Sequence, residues 1–384
     1  MINLSSIDVT NKNLVIRVDM NVPLKNGNVL DATRIEACLP TIDYALKNNA
    51  NILLISHLGR PTEGNFEEKF SLKPVADHLS KIINKSCELI DAPNSDTIFN
   101  SSCQVQLLEN IRFFHGEKTN SDELGYQLAN LGDVYVFDAF GTAHREQAST
   151  HSAINQSKVA CAGLLLEKEN NFLGRVFDNY ENPYLAVIGG AKVSTKLELI
   201  KHINNVAENI IVGGGIANTF ICAAGYQVGK SLIEDSMFDV AKEILNEGKI
   251  LLPRKVITSD SFEGSNVKEK SIADIEDHEM ILDLKIENET HAIINSAKTI
   301  LWNGPMGVFE NELFEEGTKT LSQAISNSSA FSIAGGGETL SAINKYINID
   351  DVSYCSTGGG AFLEFMEGKI LPSIKALNAK NAEE

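Results

Sequence analysis

Leu185-Ala186-Val187-Ile188-Gly189-Gly190-Ala191-Lys192 joins an uninterrupted apolar run of strand length to a double glycine and a lysine. A strand buried on both faces reads as a continuous apolar run, and a glycine turn lets the chain reverse directly into a helix. Downstream the form returns at Ile210 to Val212, Val256 to Ser259, Thr299 to Trp302, Phe331 to Ala334 and Tyr354 to Ser356. Upstream it appears at Leu14 to Val18, Ile52 to Ser56, Val105 to Leu108 and Val134 to Phe137, with helical patterns between. The repetition predicts parallel sheets with crossover helices.

With 384 residues and 43% hydrophobic side chains the chain is expected to form two domains. The predicted fold class is α/β: two Rossmann-like domains, each a parallel sheet with flanking helices, joined by a helical hinge. Leu164 to Asn179 supplies that helix, and Asn182-Pro183 closes it, since the residue before proline is pushed out of helical geometry. The domains are accordingly 1–170 and 171–384. Asn378 to Glu384 reads as a tail that is frayed or docked back on the first domain.

Lys and Arg number 33 against 51 Asp and Glu, a net charge of −18. That balance argues against nucleic-acid or anionic-membrane partners, so an anionic ligand must be held by a local basic cluster. Cys38, Cys87, Cys103, Cys161, Cys222 and Cys355 form no C-x-x-C pair. Buried reduced thiols are expected, rather than disulfides or a thiolate zinc site. No basic and apolar leader opens Met1 to Asn13, and no apolar run approaches bilayer length, so a cytoplasmic protein is expected.

Five of the seven arginines (Arg17, Arg34, Arg60, Arg112, Arg145) precede the boundary, whereas 20 of the 28 glycines follow residue 166. Arg60, Arg112 and Arg145 come shortly after the carboxyl ends of predicted strands, where open α/β sheets bind ligands. With Arg34 at a predicted helix start they can converge on one small polyanion. The alternative pairs each arginine with a surface carboxylate. His57, His144 and His151 lack a helical i, i+4 histidine and any helping cysteine, which favours hydrogen-bonding histidines over metal ligands. Asp19 and Asp138 can be an acid/base pair or supports just past their strands, and support is favoured for Asp138.

In the second half, glycines cluster at 189–190, 213–215, 304 and 307, 335–337 and 358–360, each after a predicted strand. Such turns serve either phosphate approach or backbone geometry alone. No G-x-G-x-x-G occurs, which removes the main support for a nicotinamide dehydrogenase. Ala224-Gly225-Tyr226-Gln227-Val228-Gly229-Lys230-Ser231 imitates a relaxed P-loop but follows a predicted helix, Ile216 to Ala224, and begins with alanine. Lys192 and Lys196, four apart, are placed on one face at the amino end of a helix, where the dipole disfavours cations unless an anion lies between. Two solvated surface lysines are the alternative.

These segments resemble phosphoglycerate kinase from about Val15 to Lys375. The likeness rests on Arg17-Val18-Asp19-Met20-Asn21-Val22-Pro23, Ser56-His57-Leu58-Gly59-Arg60-Pro61 and Asp138-Ala139-Phe140-Gly141-Thr142-Ala143-His144-Arg145. It continues through Gly189-Gly190-Ala191-Lys192-Val193, Trp302-Asn303-Gly304-Pro305 and Ser356-Thr357-Gly358-Gly359-Gly360. The resemblance implies a two-lobed hinge enzyme, a cytoplasmic monomer, that moves the acyl phosphate of 1,3-bisphosphoglycerate to MgADP, giving 3-phosphoglycerate and MgATP.

By matching motif positions it implies that Asp19, Asn21, Arg34, His57, Leu58, Gly59, Arg60, Arg112 and Arg145 hold the phosphoglycerate. Arg34, Lys192 and Lys196 are the implied catalytic side chains. The nucleotide falls to Lys192, Lys196, Gly213, Gly214, Asn303, Glu310, Gly336, Gly337, Glu338 and Thr339, with Glu338 taking Mg²⁺. Departures are Glu338 where an aspartate is expected, Phe362 for a serine, Lys285 for a glycine and Gln147 for a frequent histidine. Competing readings are a kinase acting on another carboxylate and a two-lobed binding protein; the arginine set with Lys192 favours the first reading over both.

Overall fold

Each of the two large sheets in the computed structural model, which describes residues 1–381, grows outward from a central apolar strand. The chain divides after Asn171: Met1–Asn171 and the segment from Ile370 form one unit, Phe172–Lys369 the other.

In the first unit the strands are β1 (Asn13–Val18), the short pair β2 (Leu24–Lys25) and β3 (Asn28–Val29), β4 (Asn51–Ile55), β5 (Cys87–Ile90), β6 (Val105–Leu108), β7 (Val134–Asp138) and β8 (Ala160–Ala162). Six of them form a parallel sheet ordered β5-β6-β4-β1-β7-β8. β1 is flanked on both sides and, from Leu14 to Val18, buried throughout, which explains a run that is apolar except for Arg17. The order in which successive strands are added reverses at β1, so the crevice beyond the carboxyl ends of β1, β4 and β7 is the place where such sheets take ligands. Helix α1 (Thr33–Lys47) buries Ile35, Cys38, Ile42 and Ala45, an apolar stripe at helical spacing, and Asp31 caps its start by accepting from Thr33 N at 2.9 Å. Helices α2 (Lys73–Ile82), α3 (Asp122–Ala129) and α4 (Ala153–Gln156) complete the crossovers. Asn26 and Gly27, at φ 52° and 74°, form the tight turn of the β2–β3 hairpin, which the apolar pattern is too short to show.

Helix α5 (Leu164–Phe177) carries the chain from one unit to the next. It ends two residues before the expected Asn179. Asp138 is a support, as favoured: its Oδ1 accepts from Leu166 N at 2.9 Å in the first turn of α5, and burial raises its carboxyl to about 6.

The second unit contains β9 (Tyr184–Gly189), α6 (Leu197–Val206), β10 (Asn209–Gly213), α7 (Gly214–Ala223), α8 (Phe238–Asn246), β11 (Ile250–Leu251), β12 (Lys255–Ser259), β13 (Lys268–Ser271), β14 (Met280–Leu284), α9 (Asn288–Ser296), β15 (Thr299–Asn303), α10 (Glu316–Ser326), β16 (Phe331–Gly335), α11 (Gly337–Tyr346), β17 (Tyr354–Ser356) and α12 (Gly360–Met366). Its parallel sheet is ordered β11-β10-β9-β15-β16-β17, again with the reversal beside a central apolar strand, β9.

One expected strand is misplaced by its pattern. Val256 to Ser259 lies in β12, the middle of a separate antiparallel sheet β13-β12-β14, while the parallel edge is taken by the two-residue β11. A short apolar run reports burial, not the direction of its neighbours.

From Ile370 the chain belongs to the first unit, where α13 (Pro372–Asn381) follows and Ser373 Oγ donates to Thr150 O at 2.6 Å. Asn378 to Asn381 are the end of that helix, and the rest of the expected tail lies outside the described residues. Among the six cysteines, all free, Cys38, Cys87 and Cys161 are buried, whereas Cys103, Cys222 and Cys355 are only half-buried. Among the described residues no helix is long and apolar enough to cross a membrane.

Candidate active site

On the first unit, the segments that follow β1, β4, β6 and β7 bring the substrate-side candidates together. After β1, Asp19 pairs with Arg34 of α1, Oδ2 to the guanidinium NH1 at 3.0 Å, and the Asn21 carbonyl takes the same nitrogen at 3.4 Å. Asn21 Oδ1 accepts from Gly59 N at 2.8 Å, which ties the β1 and β4 turns together. Gly59 has φ 61°, and a Cβ there would meet the Phe70 ring at 2.3 Å, so glycine is required. Leu58 is buried, its N–H held by Asn110 Oδ1 at 3.2 Å. Arg112 follows β6, is 6% exposed and gives NH1 to the Gly59 carbonyl at 2.5 Å, while its Nε has no partner. Arg145, half-buried, donates Nε to His144 Nε2 at 3.3 Å, and Arg60 is exposed.

The electrostatics reflect the crowding of these cations. Burial pushes the Arg112 guanidinium down to about 10, and Arg145, Arg17 and Arg60 add repulsion. Arg145 is likewise depressed, by burial first and then by Arg17, Arg60 and Arg34 against the attraction of Asp19. Burial, with Arg17, Arg112, Arg145 and Arg34, holds His57 well below the usual histidine range. Cations gathered closely enough to repel one another make this part of the first unit locally positive in a protein of net charge −18. Arg17 is the exception among the five: it is 1% exposed and turned inward. His151 bonds Asn120 at 3.0 Å, a hydrogen-bonding histidine.

On the second unit, a cavity of about 400 Å³ opens beyond the carboxyl ends of β9, β10 and β15. Its rim is Gly190 and Ala191 after β9, Gly214 and Gly215 at the start of α7, and Pro305 to Val308 after β15. The opposite wall is β14 with Leu232 and Phe262, largely apolar, and Glu310 and Glu338 are its two acids besides Asp283. A pocket of this size and lining, with a few polar groups, suits the base and sugar of a nucleotide.

The glycine clusters divide by role. A Cβ at Gly189 or Gly213 would lie 2.0 or 2.2 Å from the Pro305 carbonyl oxygen, and at Gly215 2.2 Å from that of Ala191. The N–H of Gly214 already serves Met306 O at 2.9 Å and that of Ile216 serves Gly190 O at 3.0 Å. These glycines let three turns interlock. By contrast, a Cβ at Gly337 would meet open space at the amino terminus of α11.

Lys192 and Lys196 do not share a helical face, because α6 begins only at Leu197. Lys192 is exposed in the turn, whereas the Lys196 amine is drawn inward to Gly189 O (2.5 Å), Asn303 O (3.0 Å) and Asn303 Oδ1 (2.5 Å). Burial lowers it to about 8, with Glu338 opposing. Asn303 Nδ2 donates to Gly335 O at 2.7 Å and Thr339 Oγ1 accepts from Gly304 N at 2.8 Å, so both bind the β15 turn to the β16 turn. Of the nucleotide-side candidates, Gly214, Glu310 and Glu338 line the cavity; Gly213, Asn303, Thr339, Lys196, Lys192, Gly336 and Gly337 lie outside its lining, the first four within the bonded and packed turns just described.

Sequence patterns missed Asn218, Leu232, Phe262 and the β14 wall, because none carries a recognisable local signal. The P-loop look-alike does follow a helix, α7, yet Lys230 within it stands on the cavity wall. Among the departures, Phe362 is buried with its ring where a Cβ on Gly335 would come within 2.5 Å, and Lys285 pairs with Glu269 at 3.5 Å. Gln147 leads into a turn in which its N–H bonds Thr150 Oγ1 at 3.2 Å. The grouping Glu276, His278 and Glu279 has metal-ligand spacing, but Lys270 already pairs with Glu276 and Glu279 at 2.9 and 2.8 Å.

Two α/β units with parallel sheets, one carrying an arginine cluster and the other a nucleotide-sized cavity at the sheet reversal, have the form of a small-molecule phosphotransferase. The family model described as phosphoglycerate kinase matches residues 4–369. The phosphoglycerate kinases of a Psychrobacter species and of Vibrio campbellii are 48% and 46% identical, covering 98% and 99% of both chains. The solved phosphoglycerate kinase structure from Coxiella burnetii is 44% identical with a TM-score of 0.93 over 99% of each chain. That from Pyrococcus horikoshii is 30% identical with a TM-score of 0.82 over all of both. The chain belongs to the phosphoglycerate kinase family. Its reaction is the reversible transfer of the acyl phosphate of 1,3-bisphosphoglycerate to ADP, giving 3-phosphoglycerate and ATP in glycolysis.

Proposed function

We propose that the first unit, residues 1–170 with the returning helix, holds the phosphoglycerate and the second holds the nucleotide with its Mg²⁺. The observation that carries the division is the crowding of Arg34, Arg60, Arg112 and Arg145 around His57, a repulsion that Asp19 and Glu117 offset in part and that a bound polyanion would relieve. Asp19, Asn21 and Gly59 orient Arg34 and Arg112 through the contacts described, Leu58 and Gly59 offer backbone to the ligand, and His57 adds a polar contact. On the second unit the cavity takes the base and ribose, with Glu310 at its edge, and the open amino terminus of α11 at Gly336, Gly337 and Glu338 faces the phosphates.

The residues present fit Mg²⁺ brought in with the nucleotide. Glu338 stands on the cavity lining with a carboxylate that makes no hydrogen bond or ion pair among the described residues, and one carboxylate beside phosphate and water oxygens is what Mg²⁺ commonly takes. When bound, that ion neutralises charge on the nucleotide phosphates. Transfer needs no general base, because the attacking phosphate oxygen is already ionised. Arg34 and Lys192 supply cationic donors to the moving group, while Lys196 and the glycine turns set the nucleotide's position. The same reading makes the protein a cytoplasmic monomer without nucleic-acid or membrane partners, in keeping with its charge of −18.

Calorimetric titration of the full chain tests the division. Arg112→Leu is expected to weaken 3-phosphoglycerate binding by at least about tenfold, with ATP affinity within about twofold, and wild-type affinity should fall as salt rises. An equal loss for both ligands, or affinity indifferent to salt, contradicts the assignment. Glu338→Gln is expected to weaken MgADP binding about tenfold and metal-free ADP hardly at all, with Glu338→Asp active. Equal loss with and without Mg²⁺ would leave Glu338 only a charge at the start of α11.

A further inference from the structure

Beneath the arginine cluster, Arg17 on β1 turns its donors into the protein. Nε donates to Ser149 Oγ at 2.9 Å, NH1 to the Val18 carbonyl, and NH2 meets His57 Nδ1 at 3.3 Å. Ser149 is held in turn: its hydroxyl donates to Glu117 Oε1 at 2.7 Å, its N–H to Glu117 Oε2 at 2.9 Å, and its carbonyl accepts from the Tyr135 hydroxyl at 2.6 Å. Glu117, Ser149 and Arg17 are buried, at 0%, 0% and 1% exposure. A continuous chain of contacts therefore runs from Glu117 through Ser149 and Arg17 to His57.

A guanidinium has five donors and no acceptor. At the Arg17 contact the imidazole must accept, so Nδ1 carries no proton and a neutral ring carries it on Nε2. The doubly protonated ring would place two donors against each other. Burial and the neighbouring cations Arg17, Arg112, Arg145 and Arg34 disfavour it as well. Nε2 itself makes no hydrogen bond among the described residues.

We propose that Arg17, fixed by Ser149 and Glu117, is a positioning residue that locks His57 as the neutral Nε2–H tautomer, a single donor for an oxygen of the phosphoglycerate. His57 then binds without acting as acid or base. This rests on the assignment of the cluster to phosphoglycerate.

Nitrogen-15 NMR of the histidine rings in the full-length protein tests it directly. The expected result is a His57 Nδ1 without a proton and an Nε2 with one throughout the neutral range, and an Nε2 signal that shifts when 3-phosphoglycerate is added. Ser149→Ala, which frees Arg17 from its hydroxyl anchor, should mix the tautomers and lower kcat/KM for 3-phosphoglycerate about tenfold, with KM for ATP within about twofold. A wild-type ring that is protonated on Nδ1, or that titrates as a free histidine, overturns the lock. Loss in Ser149→Ala shared equally by both substrates with the tautomer unchanged also overturns it, leaving a purely structural network. A locked ring that ignores added 3-phosphoglycerate overturns the site assignment instead.

Discussion

Arg34→Ala is expected to lower kcat by about a hundredfold or more while KM for 3-phosphoglycerate changes by less than about tenfold. The arginines of the cluster are not equivalent. Arg112 is buried and clamped on the Gly59 carbonyl, a geometry that serves a ligand already in place. Arg34 stands at the start of α1 with its side chain 37% exposed and only NH1 engaged, by Asp19 and the Asn21 carbonyl. Its other donors remain available to a phosphoryl group in transit, and an interaction made mainly in the transition state appears in kcat. Arg34→Lys should recover part of the rate, because a point charge lacks the fork. Steady-state kinetics decide it: a fall in kcat below about tenfold would reduce Arg34 to a binding residue.

Lys196→Met is expected to reduce kcat/KM for ATP by about a hundredfold and to abolish a pH dependence that the wild type should show. The amine, lowered to about 8 by burial, is charged below that pH and loses its charge above it. A polyanionic nucleotide prefers the charged form, so wild-type KM for ATP should rise as pH climbs through about 8, and the variant's should stay high and flat. The stability sign is opposite. Because the unfolded lysine keeps its proton up to about its ordinary 10.5, the unfolded state binds more protons between 8 and 10.5, and stability should rise with pH across that window in wild type only. Removing the amine also strands the Gly189 and Asn303 carbonyls and Asn303 Oδ1, at a cost of about 1–3 kcal/mol for a buried unsatisfied group. A wild-type KM unchanged from pH 7 to 9 would mean that the amine never meets the nucleotide.

Much of the first unit's candidate site was legible because most of its residues lie within a few positions of a strand end. Asp19 and Asn21 follow Val18, His57 to Arg60 follow Ile55, and Arg112 follows Leu108. A continuous apolar run locates the strand, and the parallel architecture then brings its end to a shared crevice. Arg17 was not legible in the same way. It belongs to the same run, but strand side chains alternate in direction, and only packing shows that this one faces Ser149 and His57.

The second unit resisted more. Five similar glycine turns look equivalent in one dimension. Interlocking backbones at Gly189, Gly213 and Gly215 and open space at Gly337 distinguish them only when the turns are set side by side. Lys192 and Lys196 fit a helical spacing until the start of α6 at Leu197 is known.

What the amino-acid sequence determined by itself was the class of fold, most of the strands of the two parallel sheets, the gathering of arginine in one half and glycine in the other, and the family. These follow from local properties: hydrophobic period, turn chemistry and motif order. The tertiary structure alone decided that β12 to β14 form an antiparallel sheet whose last strand walls the cavity, that Lys230 and Asn218 stand on that wall, that Lys196 points inward, and that Arg17 is a buried support. Each depends on contacts between residues far apart in the chain, and a local pattern carries burial but not the identity of the distant partner.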